Sequence, residues 1–256
     1  MGKSTVFFEK KGSIGIITLN RPEQKNAITA QMAAELKEIR KEIGWDSGIT
    51  VIVVTGKGLG FSVGTEAEAY SSFTNREEFI HNLSVASTIG SLVQPTIAAI
   101  NGDAFGQGLE LAMACDIRLA SETAHFAMPQ IINNQMPFDG GSQRLPRVVG
   151  RTKALELILL GQTVDSSEAL RIGLVSRIVP VDELIPAALT MAQELASKGP
   201  IALRFAKEAI IKGMDMTLEQ GLRLEADLYF LLHTTKDRTE GITAFREKRA
   251  PSFEGK

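Results

Sequence analysis

The stretch NGDAFGQGLELAMACD, residues 101–116, sets Gly102, Gly106 and Gly108 ahead of a short helical run and places a lone Glu110 in its first turn. Glycine at a helix entrance signals a backbone that takes φ > 0 or comes very close to something bound. A helix N-terminus also presents N–H groups without intrahelical acceptors, together with a partial positive charge. The combination asks which oxygen those N–H groups face. From spacing alone, Glu110 reads first as an acidic residue that complements the helix dipole, and second as a carboxylate that moves a proton.

Short β-branched runs lie on both sides of this stretch: TIAAI at 96–100 and DIRLA at 116–120, with IGIITL at 14–19, TVIVVT at 50–55 and LVSRIV at 174–179 further out. Helical periodicity fills the gaps, most clearly in TAQMAAELKEIRKEI at 29–43, where apolar residues recur every three or four positions. Strands alternating with helices predict an α/β architecture with mostly parallel pairing. From Val181 onward the strand signal stops, and four helical segments follow, separated by Gly, Pro or short polar turns. The expected organisation is an α/β body over residues 1–198 and a helical region over 199–256. No internal repeat or low-complexity segment interrupts it.

Composition narrows the function classes. The 256 residues carry a net charge of -2, with 44% hydrophobic and 23% charged residues, which argues against a nucleic-acid partner held by bulk positive charge. Cys115 is the single cysteine, so no intrachain disulfide forms, and a small buried hydrophobe is its expected role. The longest apolar stretches, such as LELILLG ending at Gly161, fall well short of the roughly 18 residues a membrane span needs. Val6 stands where an N-myristoylation signal requires Ser or Thr, and no secretory signal pattern follows. A cytoplasmic protein is expected.

Several familiar motifs fail. TGKGLGFSVG follows a strand and is rich in glycine, but counting from Gly56, Gly58 or Gly106 the sixth place of a dinucleotide fingerprint is Phe61, Val63 or Leu111. His81, His125 and His233 are too scattered for a metal site, and no Gly-x-Ser-x-Gly elbow occurs. What survives is a pair of glycine-bearing turns, GFSVGTE at 60–66 and FGQGLE at 105–110, each following a strand. Turns at the carboxyl ends of neighbouring strands are where open α/β sheets bind ligands. One peptide N–H from each would then meet a single oxygen and form an oxyanion hole.

AAINGDAFGQGLELAMACDIRLAS resembles the signature of the crotonase family, the enoyl-CoA hydratases and isomerases. LNRPEQKNAI at 19–28, GFSVGTE, the run from Ser142 to Pro180 and the closing TTKDRTEGITAFREKRAPSF follow the family's course in order. The resemblance implies a spiral of ββα turns with a helical C-terminal trimerisation region, giving a homotrimer or a dimer of trimers. It implies an acyl-CoA thioester substrate and neither metal nor redox cofactor, coenzyme A being part of the substrate. The family's two oxyanion amides fall on Thr65, after Val63 and Gly64, and on Gln107, between Gly106 and Gly108. Gln107 stands where glycine is usual; the main-chain donor is kept, but a side chain now projects near the pocket.

Lys25 and Ala27 lie in the segment that resembles the CoA-contacting loop, although Lys25 reads equally as a solvated lysine. Glu110 matches the first of two glutamates the hydratases use. The second is missing: Met128-Pro129-Gln130 stands where Pro-Glu is expected. Gln130 can hold a water or a substrate oxygen, but an amide cannot take up a proton near neutral pH. In the next loop Asn134 replaces a usual glycine and Phe138 brings a ring towards the acyl pocket. Asp139 reads either as the N-cap of a helix beginning near Gly140 or as the replacement carboxylate, as in the dihydroxynaphthoyl-CoA synthase branch. The open alternatives are proton transfer or hydration by Glu110, C–C bond chemistry on a β-keto or cyclic acyl-CoA by Asp139, and an acyl-CoA binder without turnover.

Overall fold

Residues 4–256, apart from 72 and 74, are described in the computed structural model of the chain. In chain order the elements are β1 (Val6–Lys11), β2 (Ile14–Leu19), α1 (Ala30–Trp45), β3 (Val51–Gly56), α2 (Arg76–Leu83), α3 (Ala86–Gly90), β4 (Thr96–Ile100), β5 (Ala104–Phe105), α4 (Gln107–Ala114), β6 (Ile117–Ser121) and β7 (His125–Ala127). They continue with α5 (Gly141–Val149), α6 (Arg151–Leu160), β8 (Thr163–Asp165), α7 (Ser166–Arg171), β9 (Arg177–Val179), α8 (Leu184–Ala196), α9 (Pro200–Gly213), α10 (Leu218–Leu232) and α11 (Lys236–Glu247). The larger sheet runs β1-β2-β3-β4-β6-β9, antiparallel only between β1 and β2. A small sheet, β5-β7-β8, is extended by the single bridges Ile28↔Thr65 and Ser62↔Ala104. Each turn of chain passes through the large sheet, crosses to the small one and returns through a helix. This is the ββα spiral the family resemblance implies.

Period-2 geometry explains why the central strands read as continuous apolar runs. Val51 and Val53 of β3 face one core with Ile16, Ile97, Ala99 and Leu119, closed by Leu184, Ala188 and Ala192 of α8. Their neighbours Ile52 and Val54 face the opposite core with Ile17, Leu19, Ala98 and Ile100, closed by Met32 and Leu36 of α1 and by Phe61 and Phe126 from the small-sheet side. Helix α1 begins where its stripe predicts, because the Thr29 side chain accepts the Met32 N–H at its entrance. The sequence reading misses β1 and the small sheet. DIRLA starts pairing one residue late, at Ile117, and LVSRIV contributes only Arg177–Val179 as strand. Leu174 and Val175 instead fold back on Ala169, their N–H groups donating to its carbonyl.

After α8 the chain contributes little to either core. In α9 only Pro200 is buried, and in α10 only Leu228. An ion pair between Lys207 and Asp116, 2.7 Å, ties α9 to the body. Ile210, Met214, Leu218, Leu222, Phe230 and Phe245 remain exposed along the stretch that holds α9, α10 and α11. Among the described residues no helix is long and apolar enough to cross a membrane, and no cluster of three His, Cys, Asp or Glu could hold a metal ion.

Candidate active site

The two glycine-bearing turns meet. Beyond β3, the Ser62 N–H donates to Asp103 O (3.0 Å) and the Phe105 N–H to Ser62 O (2.9 Å), so the loop at 60–66 lies alongside β5 and the start of α4. Two glycines permit this approach. A Cβ on Gly108 would stand 2.3 Å from Ser62 O. Gly64 has φ +95°, and a Cβ there would stand 2.9 Å from Phe105 O and 3.3 Å from Gln107 N. The Gln107 nitrogen therefore sits directly beside the residue that precedes Thr65.

Among the described residues neither the Thr65 nor the Gln107 peptide N–H meets an acceptor. Gln107 is the first residue of α4, so its N–H has no acceptor within the helix. At Thr65, the bridge to Ile28 uses the Gly64 carbonyl (2.8 Å) and the Glu66 N–H (2.9 Å). Strand alternation turns the Thr65 N–H away from Ile28. A cleft of about 390 Å³ opens at this point, lined by Val63, Gly64, Thr65, Gly106, Gln107, Pro129 and Gln130 among others.

Glu110 lies one turn into α4 and is fully buried. Its Oε1 accepts the N–H groups of Asp139 (3.0 Å) and Gly141 (2.7 Å), while Oε2 is buried without a hydrogen-bond partner. Burial pushes its carboxyl from the ordinary 4.5 up to about 7; the Asp139 charge adds to the rise, and the Gly141 N–H opposes it. That value suits a group that must both accept and release a proton near neutral pH.

Asp139 does not cap the helix that follows it. The N-cap of α5 is Gly140, which has no side chain to cap with. Asp139 caps α3 instead: its carboxylate accepts the N–H groups of Val85 (2.7 Å), Ala86 (2.7 Å) and Ser87 (3.2 Å), and the Ser87 hydroxyl (3.0 Å). The Gln107 side-chain amide supplies a fifth donor, Nε2 to Oδ2, at 3.0 Å. With five donors its lone pairs are occupied. Sequence position points to the helix that follows; chain folding brings one from more than fifty residues earlier.

The remaining candidates separate. Gln130 lines the cleft, its Oε1 buried and unpartnered, beside Pro129. Asn134 takes the left-handed conformation, φ 53°. Lys25 and Ala27 do not reach the cleft wall. Lys25 is exposed in a left-handed turn and its carbonyl accepts the Val63 N–H (3.2 Å); the Ala27 carbonyl accepts Arg21 Nη1 (2.7 Å). Lys25 thus holds the 60–66 loop by main chain, while Ala27 holds the Arg21 guanidinium, which pairs with Glu66 at 3.0 Å. Phe138 packs behind the cleft against Phe79 (centroids 4.7 Å apart) and edge-on to Tyr70 (6.4 Å).

Tyr70 is one of the cleft residues that motif reading misses, with Ala67, Asn133 and Gln135. It lines the wall beside Thr65 and Gln107. Burial raises its phenol above 10, a hydrogen bond with Thr65 offsets part of that, and the Glu110 charge adds to it. Its position in a short 3-10 turn, Ala67–Ser71, carries no sequence periodicity. One of only two tyrosines five residues after Thr65 was the available signal.

The enoyl-CoA hydratase/isomerase family model matches residues 9–256. The mitochondrial enoyl-CoA hydratase of Pongo abelii is 38% identical, the match covering 97% of this chain and 87% of that one. The crystal structure of enoyl-CoA hydratase from Bacillus anthracis superposes with a TM-score of 0.91 at 38% identity, covering 98% of this chain and 100% of the other. Pseudomonas aeruginosa DspI superposes with a TM-score of 0.93 at 33% identity, covering 98% and 97%. The chain belongs to the enoyl-CoA hydratase/isomerase, or crotonase, family and has its fold.

Proposed function

We propose that this protein is an acyl-CoA enzyme in which the peptide N–H groups of Thr65 and Gln107 hold a thioester oxygen and Glu110 is the proton carrier. Polarising the thioester carbonyl acidifies the α-C–H and makes the β-carbon of an enoyl group electrophilic. In the first case Glu110 removes the α-proton, the C–H electron pair becomes the enolate, and its negative charge collects on the oxygen facing the two amides. The same carboxylic acid returns the proton to the α- or γ-carbon. In the second case a water held at Gln130 adds at the β-carbon and the proton passes through Glu110. Losing one such amide typically costs on the order of 3 kcal/mol of transition-state stabilisation.

The observation that carries this reading is Glu110 itself: a buried carboxyl raised to about 7, one oxygen fixed by two N–H groups and the other without a partner. C–C bond chemistry with Asp139 as the acid or base has less support, because that carboxylate already accepts five hydrogen bonds. We assign the exposed apolar residues of α9, α10 and α11 to a trimer interface formed by a region spanning 199–256, and place the protein in the cytoplasm. The deciding experiment incubates the protein with linear, dienoyl and cyclic acyl-CoAs in deuterated water and follows mass. Exchange without net change identifies proton transfer, addition of water identifies hydration, and fragmentation identifies C–C cleavage. A protein that binds these esters and alters none of them overturns the enzymatic reading.

A further inference from the structure

The Gln107 side chain is as deeply placed as its nitrogen, at 1% exposure, and each of its polar atoms has a directed partner. Its Oε1 accepts the Thr65 hydroxyl at 2.7 Å, and its Nε2 donates to Leu83 O at 2.5 Å and to Asp139 Oδ2 at 3.0 Å. The amide can face only one way, since Leu83 O and Asp139 Oδ2 are acceptors and must meet Nε2, which leaves Oε1 to accept the Thr65 hydroxyl. Asp139 in turn holds the α3 entrance through Val85, Ala86 and Ser87, and its own N–H fixes Glu110 Oε1. Thr65 and Gln107, both on the cleft wall, are thus joined side chain to side chain, and joined again to the residue that aims the buried carboxyl.

Resting on the reading of the site given above, we propose that the Gln107 side chain is a positioning residue: a brace that fixes the spacing of the Thr65 and Gln107 nitrogens and registers both against Glu110 through Asp139. Gly64, with nothing but backbone beside Gln107 N, cannot supply that rigidity itself. A hydrogen-bonded amide between the two turns does, and preorganised donors are what stabilise a developing oxyanion. An error of about 1 Å in such a group costs roughly 100-fold in rate.

The test uses Gln107→Met, which keeps the peptide N–H and side-chain length while removing all three side-chain hydrogen bonds, and Thr65→Val, which removes the same link from the other turn. Two readouts are taken: kcat and KM on an acyl-CoA the wild type turns over, and the infrared carbonyl stretch of a bound, unreactive saturated acyl-CoA thioester. The brace predicts that Gln107→Met lowers kcat by about 10- to 100-fold with KM changed less than about 3-fold, and reverses most of the carbonyl downshift. In a Tyr70→Phe background, which removes the separate Tyr70–Thr65 hydrogen bond beforehand, Thr65→Val added to Gln107→Met then costs less than about 3-fold more, because both remove one link. A Gln107→Met protein that keeps kcat within 3-fold and the full downshift overturns the brace, as do losses that multiply in the double variant. If Gln107→Met does not fold, Thr65→Val alone must lower kcat and reverse the downshift, and a full downshift in it overturns the brace. A wild-type protein with no downshift at all overturns the thioester reading instead, so the two failures are distinct.

Discussion

Glu110→Gln separates stability from activity, and the size of the separation follows from its burial. In the unfolded chain the carboxyl titrates near 4.5, and in the fold near 7. The folded-state value is the raised one, so the ionised form is disfavoured by folding. Its stability contribution is fully present below pH 4.5 and is lost as pH rises towards 7. At 1.36 kcal/mol for each tenfold change in proton affinity, the complete penalty is roughly 3 kcal/mol, most of which develops between pH 5 and pH 8. Glutamine copies the protonated acid: its oxygen accepts the Asp139 and Gly141 N–H groups, and its amide nitrogen lies where Oε2 now has no partner. The variant should be close to the wild type in urea at pH 5 and more stable by roughly 2–3 kcal/mol at pH 8, while losing α-proton exchange. The wild-type kcat/KM for exchange should show a limb near pH 7 that rises with pH. Wild-type and variant stability curves that run parallel from pH 5 to 8 would refute the claim that the carboxyl is buried and raised. Full exchange by the variant would remove Glu110 from the chemistry.

Three further outcomes follow from particular contacts. Asp139→Asn turns an all-acceptor group into one that sets an N–H against the donors of the α3 entrance and Gln107; urea unfolding should report a loss of roughly 2–4 kcal/mol, and unchanged stability would mean the anchoring is not real. Gln130→Glu places a carboxylate on the cleft wall where an unpartnered amide oxygen now lies, and should raise hydration of an enoyl-CoA about 100-fold relative to α-proton exchange, measured by mass in deuterated water. Phe230 and Phe245, 77% and 85% exposed, belong to the proposed interface. Sedimentation of the wild type should give three or six chains per particle, and Phe230→Asp should lower that mass at micromolar concentration.

Long elements were readable because their signals are local and repeated. β2, β3 and β4 each place five or six consecutive residues with both faces buried, and α1 carries a stripe of Met32, Ala33, Leu36 and Ile43 behind a Thr cap. The small sheet is made of two- and three-residue strands and isolated bridges, too short for any periodicity to show. At the site, Gly64 and Gly108 betray the close approach of the two turns, and a charged residue inside an apolar helix marks Glu110. The partners of Asp139 were not legible, since Val85 to Ser87 lie 52 to 54 positions away and only the fold brings them to it. Gln107 could be read as an intruding side chain; that it spans three partners from separate segments, two loops and the end of α2, is a property of the folded chain alone.

The most direct measurement is a crystal structure with an unreactive acyl-CoA bound. The thioester oxygen should lie about 2.7–3.1 Å from the nitrogens of both Thr65 and Gln107, with the α-carbon on the Glu110 side. An acyl-CoA seated elsewhere, or a thioester oxygen that reaches only one of the two nitrogens, would contradict it.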